Sequence, residues 1–172
     1  IEAQMHYTTI GEPVTDQSSW GVKVAREPDS TLRRAGGGAV AKLQFAIEPG
    51  NPDYAIISSQ KMSKDTYLSN MMPHMHVRGK SAKYTVKYED GTEVVALSVP
   101  NYDFNWQLSY VLEEPIFMPK GTVLEAEFHY DNSGANRHNP DPTAEVHWGD
   151  QTWEEMMLGY YGTVDGPVEG GQ

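Results

Sequence analysis

The chain has 172 residues and a mass of 19.2 kDa, which suits one domain, or one domain with a fragment of another. Hydrophobic residues make up 38% of the sequence, enough to fill a core, so wholesale disorder is excluded. A net charge of −11 argues against binding to nucleic acid and against docking on anionic membranes, because both need basic surfaces. Cysteine is absent, which excludes disulfides, thiolate metal sites and cysteine nucleophiles.

Membrane insertion is not expected, because no apolar run approaches the roughly 20 residues that a spanning helix needs. No basic segment followed by an apolar one opens the chain, so no signal segment is visible. The abrupt, strand-like start predicts a mature form or a fragment of a longer protein.

Short β-rich segments separated by glycine and proline predict strands along the whole chain. In chain order the predicted strands span residues 2–9, 20–25, 39–47, 54–60, 66–72, 81–88, 92–99, 106–113, 121–130, 144–148 and 154–161. Apolar residues nowhere hold a helical repeat. The near-regular spacing of strands therefore predicts an all-β fold, an antiparallel sandwich or barrel.

Turn and linker signals divide this pattern. Residues 26–38 end in three glycines and predict a linker. Residues 1–36 are accordingly expected to be a last strand and linker, and residues 37–172 a β-sandwich domain. The Asp90-Gly91 pair between two β-rich runs predicts a hairpin. Residues 131–143 form a polar stretch with several turn formers and predict a long loop.

The strongest metal-binding signal is the pair His74 and His76. Side chains at i and i+2 of a strand point to the same face, so both imidazoles can reach one ion. The pair alone is equally compatible with two half-exposed histidines that bind nothing.

Methionine usage favours the metal interpretation. Met75 lies between the two histidines, and Met156 belongs to a second methionine cluster. A thioether is a soft ligand that favours Cu(I), and imidazole accepts copper in both oxidation states. Two histidines and one methionine would leave a coordination position open. For five other methionines we expect core packing: Met62, Met71, Met72, Met118 and Met157.

Other residues carry weaker signals. His129 and His147 are spare metal candidates, although we expect core or supporting roles for them, and His138 is expected to be solvated. Trp106, Trp148 and Trp153 could form a carbohydrate platform, although core packing is more common for tryptophan in a sandwich. No nucleophile elbow, P-loop or dinucleotide motif is present.

These motifs and their order resemble the second domain of the copper type II, ascorbate-dependent monooxygenases, the family of peptidylglycine alpha-hydroxylating and dopamine beta-monooxygenases. The His-x-His strand with its basic and glycine residues matches residues 74–80, and the Glu-Met segment matches residues 154–161. Residues 128–130 and 146–149 resemble family segments in the same order. The closer likeness is to bacterial members. Upstream, residues 4–7 are similar to the strand that ends the family's first domain.

The resemblance implies a jelly-roll sandwich that holds an oxygen-activating copper on His74, His76 and Met156, with Tyr160 as a catalytic residue. His6 would be a ligand of a second, electron-transferring copper whose other ligands belong to a preceding domain of the same parent protein. The implied partners are O2 and a small organic substrate, and the implied location is periplasmic or secreted. Met72 replaces the arginine that binds the substrate carboxylate in peptide-amidating members, and Leu158 replaces their substrate-binding asparagine. A glycine-extended peptide is therefore not the expected substrate.

The first hypothesis is accordingly the catalytic-copper domain of a bacterial copper-dependent monooxygenase. The alternative is a non-catalytic copper-binding or carbohydrate-type β-sandwich module. A mononuclear zinc or iron site is a weaker third interpretation, because such sites normally add a third histidine or a carboxylate.

Overall fold

A computed structural model describes residues 5, 7, 10–24 and 34–166, and the chain divides into two compact units, residues 1–32 and 33–172. In the first unit, residues 10–24 contain no strand, so the strand predicted over 20–25 is wrong for residues 20–24. The Asp16 carboxylate there accepts hydrogen bonds from the hydroxyls of Tyr7 and Ser18, each at 2.8 Å. His6 lies outside the described residues, as does most of the strand predicted over 2–9.

The second unit is an all-β, antiparallel, jelly-roll-like sandwich, as the sequence and the resemblance predict. Its strands are β1 (Ala35–Ala41), β2 (Ala46–Ile47), β3 (Tyr54–Lys61), β4 (Thr66–His74), β5 (Gly79–Lys87), β6 (Glu93–Val99), β7 (Tyr110–Met118), β8 (Val123–Tyr130), β9 (Val146–His147) and β10 (Leu158–Val164). Over the described ranges we find no helix of the length and hydrophobicity needed to cross a bilayer.

Two four-stranded sheets make up the sandwich. Sheet I has the strand order β1-β10-β4-β7, and sheet II has the order β3-β8-β5-β6. A short pair, β2 and β9, forms a separate two-stranded sheet. Every pairing of neighbouring strands is antiparallel.

The core lies between the two sheets and follows the alternation of the strands. On β8 every second residue is buried, from Leu124 to Tyr130, and Phe128 packs edge-on against Tyr84 of β5 with ring centroids 5.9 Å apart. Each fully buried large apolar side chain of this kind stabilises the fold by roughly 1.5–3 kcal/mol. Sheet I contributes apolar side chains that include Leu68, Met71 and Met118. The expectation of core methionines is correct for Met62, Met71, Met118 and Met157 and wrong for Met72, which is half-buried.

One extra residue in β4 changes which side chains face the core. Along β10, Thr163 pairs with Leu68 and Gly162 pairs with Asn70, so Ser69 is bulged out of the register. Before the bulge the buried residues of β4 are Thr66 and Leu68; after it they are Met71 and Pro73. Because a one-residue shift moves every following side chain to the opposite face, the bulge turns His74 outward.

Strand boundaries depart from the sequence prediction where turns intervene. The predicted strand 39–47 is two strands, β1 and β2, and β1 begins at Ala35, within the predicted linker. The strand predicted over 106–113 begins only at Tyr110, because residues 100–109 form a loop. The hairpin predicted at Asp90-Gly91 is confirmed: it joins β5 to β6, with Gly91 at a φ of 88°. Residues 131–143 form the predicted irregular loop.

Candidate metal centre

The end of β4 and the start of β10 bring the two predicted ligand segments together. His74 is the last residue of β4, and its Cα pairs with that of Leu158, the first residue of β10. Because the strands are antiparallel, His76 and Met156 lie beyond this pair on the same side of it. The ring Nδ1 of His76 lies 3.1 Å from the carbonyl oxygen of Glu154, so the side-by-side arrangement continues past the strand ends.

The imidazole of His74 is held by the side-chain amide of Gln107. Its Nδ1 lies 2.5 Å from Gln107 Oε1, while Gln107 Nε2 donates to the carbonyl of Phe104 at 2.8 Å. The second bond fixes the orientation of the amide, so the oxygen faces His74. An amide oxygen only accepts hydrogen bonds, and His74 Nδ1 must therefore carry the proton. The lone pair is left on Nε2.

His76 has the same tautomer for the same reason. The partner of its Nδ1 is the backbone carbonyl of Glu154, which can only accept a hydrogen bond. Histidines that bind a metal commonly donate their second ring nitrogen to a carbonyl or carboxylate in this way, which fixes the ring orientation. Both rings therefore keep Nε2 as the available ligand atom.

The spacing of the two rings fits a shared ion. Their centroids are 5.3 Å apart and their planes cross at 82°. Metal–nitrogen bonds of about 2.0–2.1 Å place the centres of two imidazoles on one ion roughly 5–6 Å apart. Burial lowers the pKa of His76 and the nearby His74 lowers it further, whereas the backbone carbonyls of Glu154 and Gln151 and the Glu154 carboxylate raise it. A neutral ring is the form that binds a metal.

Met156 lies on the same outer face as His74. In this segment Glu155, Met157 and Gly159 are buried, whereas Met156 is half-buried and Tyr160 is exposed. The carbonyl of Met156 accepts a hydrogen bond from the Tyr130 hydroxyl at 2.9 Å, which holds its backbone against the core. The structure thus brings together the three predicted ligand residues at the level of the backbone.

No group of three or more histidine and carboxylate side chains suited to a metal occurs in the described part of the chain. A zinc or iron site of the usual kind would need such a group. The donor set that the described residues do offer, two imidazoles beside a methionine, fits a soft ion such as Cu(I).

The Tyr102 hydroxyl hydrogen-bonds to both backbone polar groups of Met75, the residue between the two histidines. It accepts a hydrogen bond from the Met75 backbone N–H at 3.1 Å and donates one to the Met75 carbonyl at 2.7 Å. Gly79 makes this approach possible, because a Cβ at that position would lie 2.6 Å from Tyr102 Cδ1 and 2.8 Å from Met75 Cβ.

A buried carboxylate lies behind the ligand segments. Glu155 has no exposed surface, and its oxygens accept hydrogen bonds from the backbone N–H groups of His76 and Arg78, each at 2.7 Å. Burial raises the pKa of Glu155 to about 7, although these N–H groups oppose the rise. Arg78, also buried, donates to Asn132 Oδ1 and to the carbonyl of Trp153, each at 2.8 Å.

Aromatic side chains surround the outer side of the histidines. The ring centroid of Tyr160, the predicted catalytic residue, lies 6.4 Å from that of His74, and that of Phe104 lies 6.1 Å from that of His76. Trp106 and Trp153 are 64% and 61% exposed, so the expectation of core packing is wrong for both.

The other described histidines are engaged elsewhere. His129 Nδ1 lies 2.9 Å from Asp53 and its Nε2 lies 3.3 Å from Glu127, so both ring nitrogens have carboxylate partners. His147 lies between the carbonyl of Phe45 and the carboxylate of Glu145 and is exposed, which contradicts a core role for it. His138 is exposed, as predicted.

The sequence interpretation missed the groups that support the ligands. Tyr102 and Gln107 belong to the loop before β7, and they meet residues 74–75 only through the fold. No local pattern marks either of them. Glu155 was recognised only as part of a motif, although its position next to Met156 was a usable signal.

No protein-family model matches the sequence, and a search of curated proteins finds no match either. Among solved structures the chain is similar to chains of infectious bursal disease virus: the Gx strain (13% identity, TM-score 0.35), the Gt strain (12%, 0.37) and the VP2 subviral particle (13%, 0.35). These alignments cover 83%, 90% and 90% of this chain and 35%, 36% and 37% of the viral chains. At these TM-scores the likeness supports no conclusion about function.

Proposed function

We propose that this chain is the copper-binding domain of a bacterial copper-dependent monooxygenase and that it activates O2 for the hydroxylation of a small organic substrate. His74, His76 and Met156 would hold the metal. The observation that carries the proposal is the partner of each Nδ1, an acceptor oxygen in both histidines, which places the lone pair of each neutral ring on Nε2.

The chemistry of the donors supports copper over harder ions. Two neutral imidazoles accept both oxidation states of copper, and a thioether favours Cu(I). Copper bound there would supply the one-electron redox chemistry that O2 activation needs. The residues of this chain would keep the rings oriented, through Gln107 and the Glu154 carbonyl, and would leave a position open on the outer face of sheet I.

The outer face of sheet I is where a substrate would bind. Tyr160 lies beside His74 and opposite Met72 on the neighbouring strand. With Met72 there, the surface next to the site is apolar rather than cationic, which suits a substrate without a carboxylate to be neutralised. Electrons would come from a second copper site shared with a preceding domain, to which His6 would contribute.

Anaerobic titration of the reduced protein with Cu(I), in competition with a chromophoric Cu(I) chelator, tests the metal site. The wild-type protein should bind close to one equivalent, and His76→Ala should bind far more weakly. Met72→Ile is the control, because Met72 lies half-buried on sheet I next to the site but is not a proposed ligand. Failure of the wild-type protein to bind Cu(I) would overturn the proposal.

The alternative function is binding without catalysis. Ascorbate- and O2-dependent product formation by the full-length protein separates a monooxygenase from a copper-binding module. The exposed Trp106 and Trp153 favour a carbohydrate-type module as the other form of this alternative, since exposed indole rings can stack on sugars. Retention on immobilised polysaccharide that is lost in Trp106→Ala, without any uptake of copper, would favour that module.

A further inference from the structure

The buried carboxylate of Glu155 connects the two segments that carry the proposed ligands. One oxygen accepts from the backbone N–H of His76 at 2.7 Å and from that of Met156 at 3.3 Å, and the other accepts from Arg78 N–H at 2.7 Å. The N–H groups of His76 and Met156 thus share a single oxygen atom. Their backbones cannot separate without leaving that oxygen, or one of its donors, unpaired.

Further hydrogen bonds join the same two segments. Arg78 donates through Nη1 to the carbonyl of Trp153 at 2.8 Å, and His76 donates through Nδ1 to the carbonyl of Glu154 at 3.1 Å. Arg78 Nε donates to Asn132, whose own amide donates to the carbonyls of Glu48 and Ala144 at 3.0 and 2.9 Å. Glu155, Arg78 and Asn132 are each at most 1% exposed, so the network is part of the sandwich interior.

From this geometry we infer that Glu155 is a positioning residue that keeps the methionine ligand in register with the histidine ligand, so that an ion on His76 also meets Met156. The inference rests on the proposed copper site. Glu155 thereby determines which side chains bind the ion, in addition to stabilising the fold.

A carboxylate suits this position better than an amide. All three groups that point at the side chain are N–H donors, and a carboxylate offers them two acceptor oxygens. A glutamine has one acceptor oxygen, so its NH2 group would face at least one backbone N–H. In a buried site a donor without an acceptor is unfavourable, and the strands would move apart to relieve it.

The test compares copper coordination in Glu155→Gln and in Glu125→Gln. The control carries the same substitution on β8 of sheet II, where Glu125 lies 2.8 Å from Lys87 and is not part of the ligand segments. X-ray absorption at the copper edge on the Cu(I)-loaded proteins reports whether sulfur is bound. We expect the wild type and Glu125→Gln to show sulfur, and Glu155→Gln to bind roughly 10- to 100-fold more weakly and to lose the sulfur signal.

A second variant covers the case in which Glu155→Gln does not fold. Glu155→Asp keeps the charge but is shorter by one methylene, so it cannot reach His76 and Arg78 together. We expect a folded protein with a reduced sulfur contribution and weaker binding. A folded Glu155→Gln with wild-type affinity and an unchanged sulfur signal overturns the inference, and so does an unchanged Glu155→Asp if Glu155→Gln fails to fold. Absence of copper binding by the wild type would instead overturn the proposed function itself.

Discussion

The two sheets of the sandwich each bury one face but present different outer faces. On sheet II the outer face is a ladder of ion pairs, in which Lys83 pairs with Glu127 and Lys87 lies 2.8 Å from Glu125. On sheet I the outer face has Met72, His74 and Tyr160 side by side, and no ion pair joins β4 to β10 among the residues described. Under the proposed function, sheet I would carry the metal site and sheet II would support it.

The difference arises from a change of register. On β8 of sheet II the alternation is unbroken and gives a charged face and an apolar face. On β4 of sheet I the bulge at Ser69 reverses the alternation just before the histidines. Bulges are frequent next to active sites because they redirect a side chain. Four changes test this contrast, and they follow from the largest expected effect to the smallest.

Deletion of Ser69 should have the largest effect. Without the bulge, either Leu68 and its neighbours leave the core or His74 turns into it. Exposing buried apolar side chains costs roughly 1.5–3 kcal/mol each, so we expect a loss of at least about 3 kcal/mol of unfolding free energy. Urea denaturation measures it. Ser69→Ala, which keeps the residue count, should stay close to wild type; a deletion variant as stable as wild type would contradict this account of the bulge.

Replacing Gly79 with alanine should be the next most damaging change. The new Cβ would lie 2.6 Å from Tyr102 Cδ1, so Tyr102 must move and release the Met75 backbone. Overpacking of this kind typically costs 1–3 kcal/mol, and copper affinity should fall as well. Thermal unfolding and Cu(I) competition measure the two effects. In Gly134→Ala the nearest atom to the new Cβ is 4.0 Å away, so that control should be nearly neutral.

Gln107→Leu should change copper affinity more than stability. The substitution removes the acceptor of the His74 Nδ1 hydrogen bond. Loss of such a hydrogen-bond partner of a metal-binding histidine lowers metal affinity roughly 10- to 100-fold. The matched control is Gln60→Leu on β3 of sheet II, where the amide bonds only the neighbouring carbonyl of Lys61. Equal copper affinities for the two variants would contradict the assigned role of Gln107.

The smallest effect is expected on sheet II and depends on pH. Hydrogen bonding to Lys83 holds the pKa of Glu127 below its ordinary value, with a further contribution from His129 and against the effect of burial. Because the pKa is lower in the folded state, the stabilisation is complete above the pKa of the unfolded chain. It is lost as the pH falls through the pKa of the folded chain. Glu127→Gln should therefore lower the unfolding free energy by about 1 kcal/mol or less at pH 7, and the difference should vanish in acid. An equal difference at pH 3 and pH 7 would contradict it.

Regular segments could be predicted from the sequence because their information is local. The alternation on β8 and the Asp90-Gly91 turn each specify their structure within a few residues. Strand periodicity also predicted that the rings of His74 and His76 lie close together, although β4 ends at His74 and His76 is a buried residue beyond it. The bulge at Ser69 could not be predicted, because nothing in the local sequence opposes a continuous strand and the partner strands decide the register.

The residues that hold the proposed ligands in place could not be predicted from the sequence either. Gln107 lies in the strand predicted over 106–113, and Tyr102 precedes it. The structure instead forms a loop over residues 100–109 that reaches back to the histidines. The sequence also does not show that Arg78 and Glu155 are buried, because charged side chains enter the interior only where the fold supplies hydrogen-bond partners. The sequence predicts core packing for Met72, because the bulge that reverses the alternation leaves no local signal.

The most direct test of the central claim is the copper-edge X-ray absorption spectrum of the Cu(I)-loaded wild-type protein and of Met156→Ile. The account predicts nitrogen ligands together with one sulfur ligand in the wild type, and the loss of sulfur with retention of the imidazoles in Met156→Ile. A wild-type spectrum without sulfur, or a sulfur signal that persists in Met156→Ile, would contradict it.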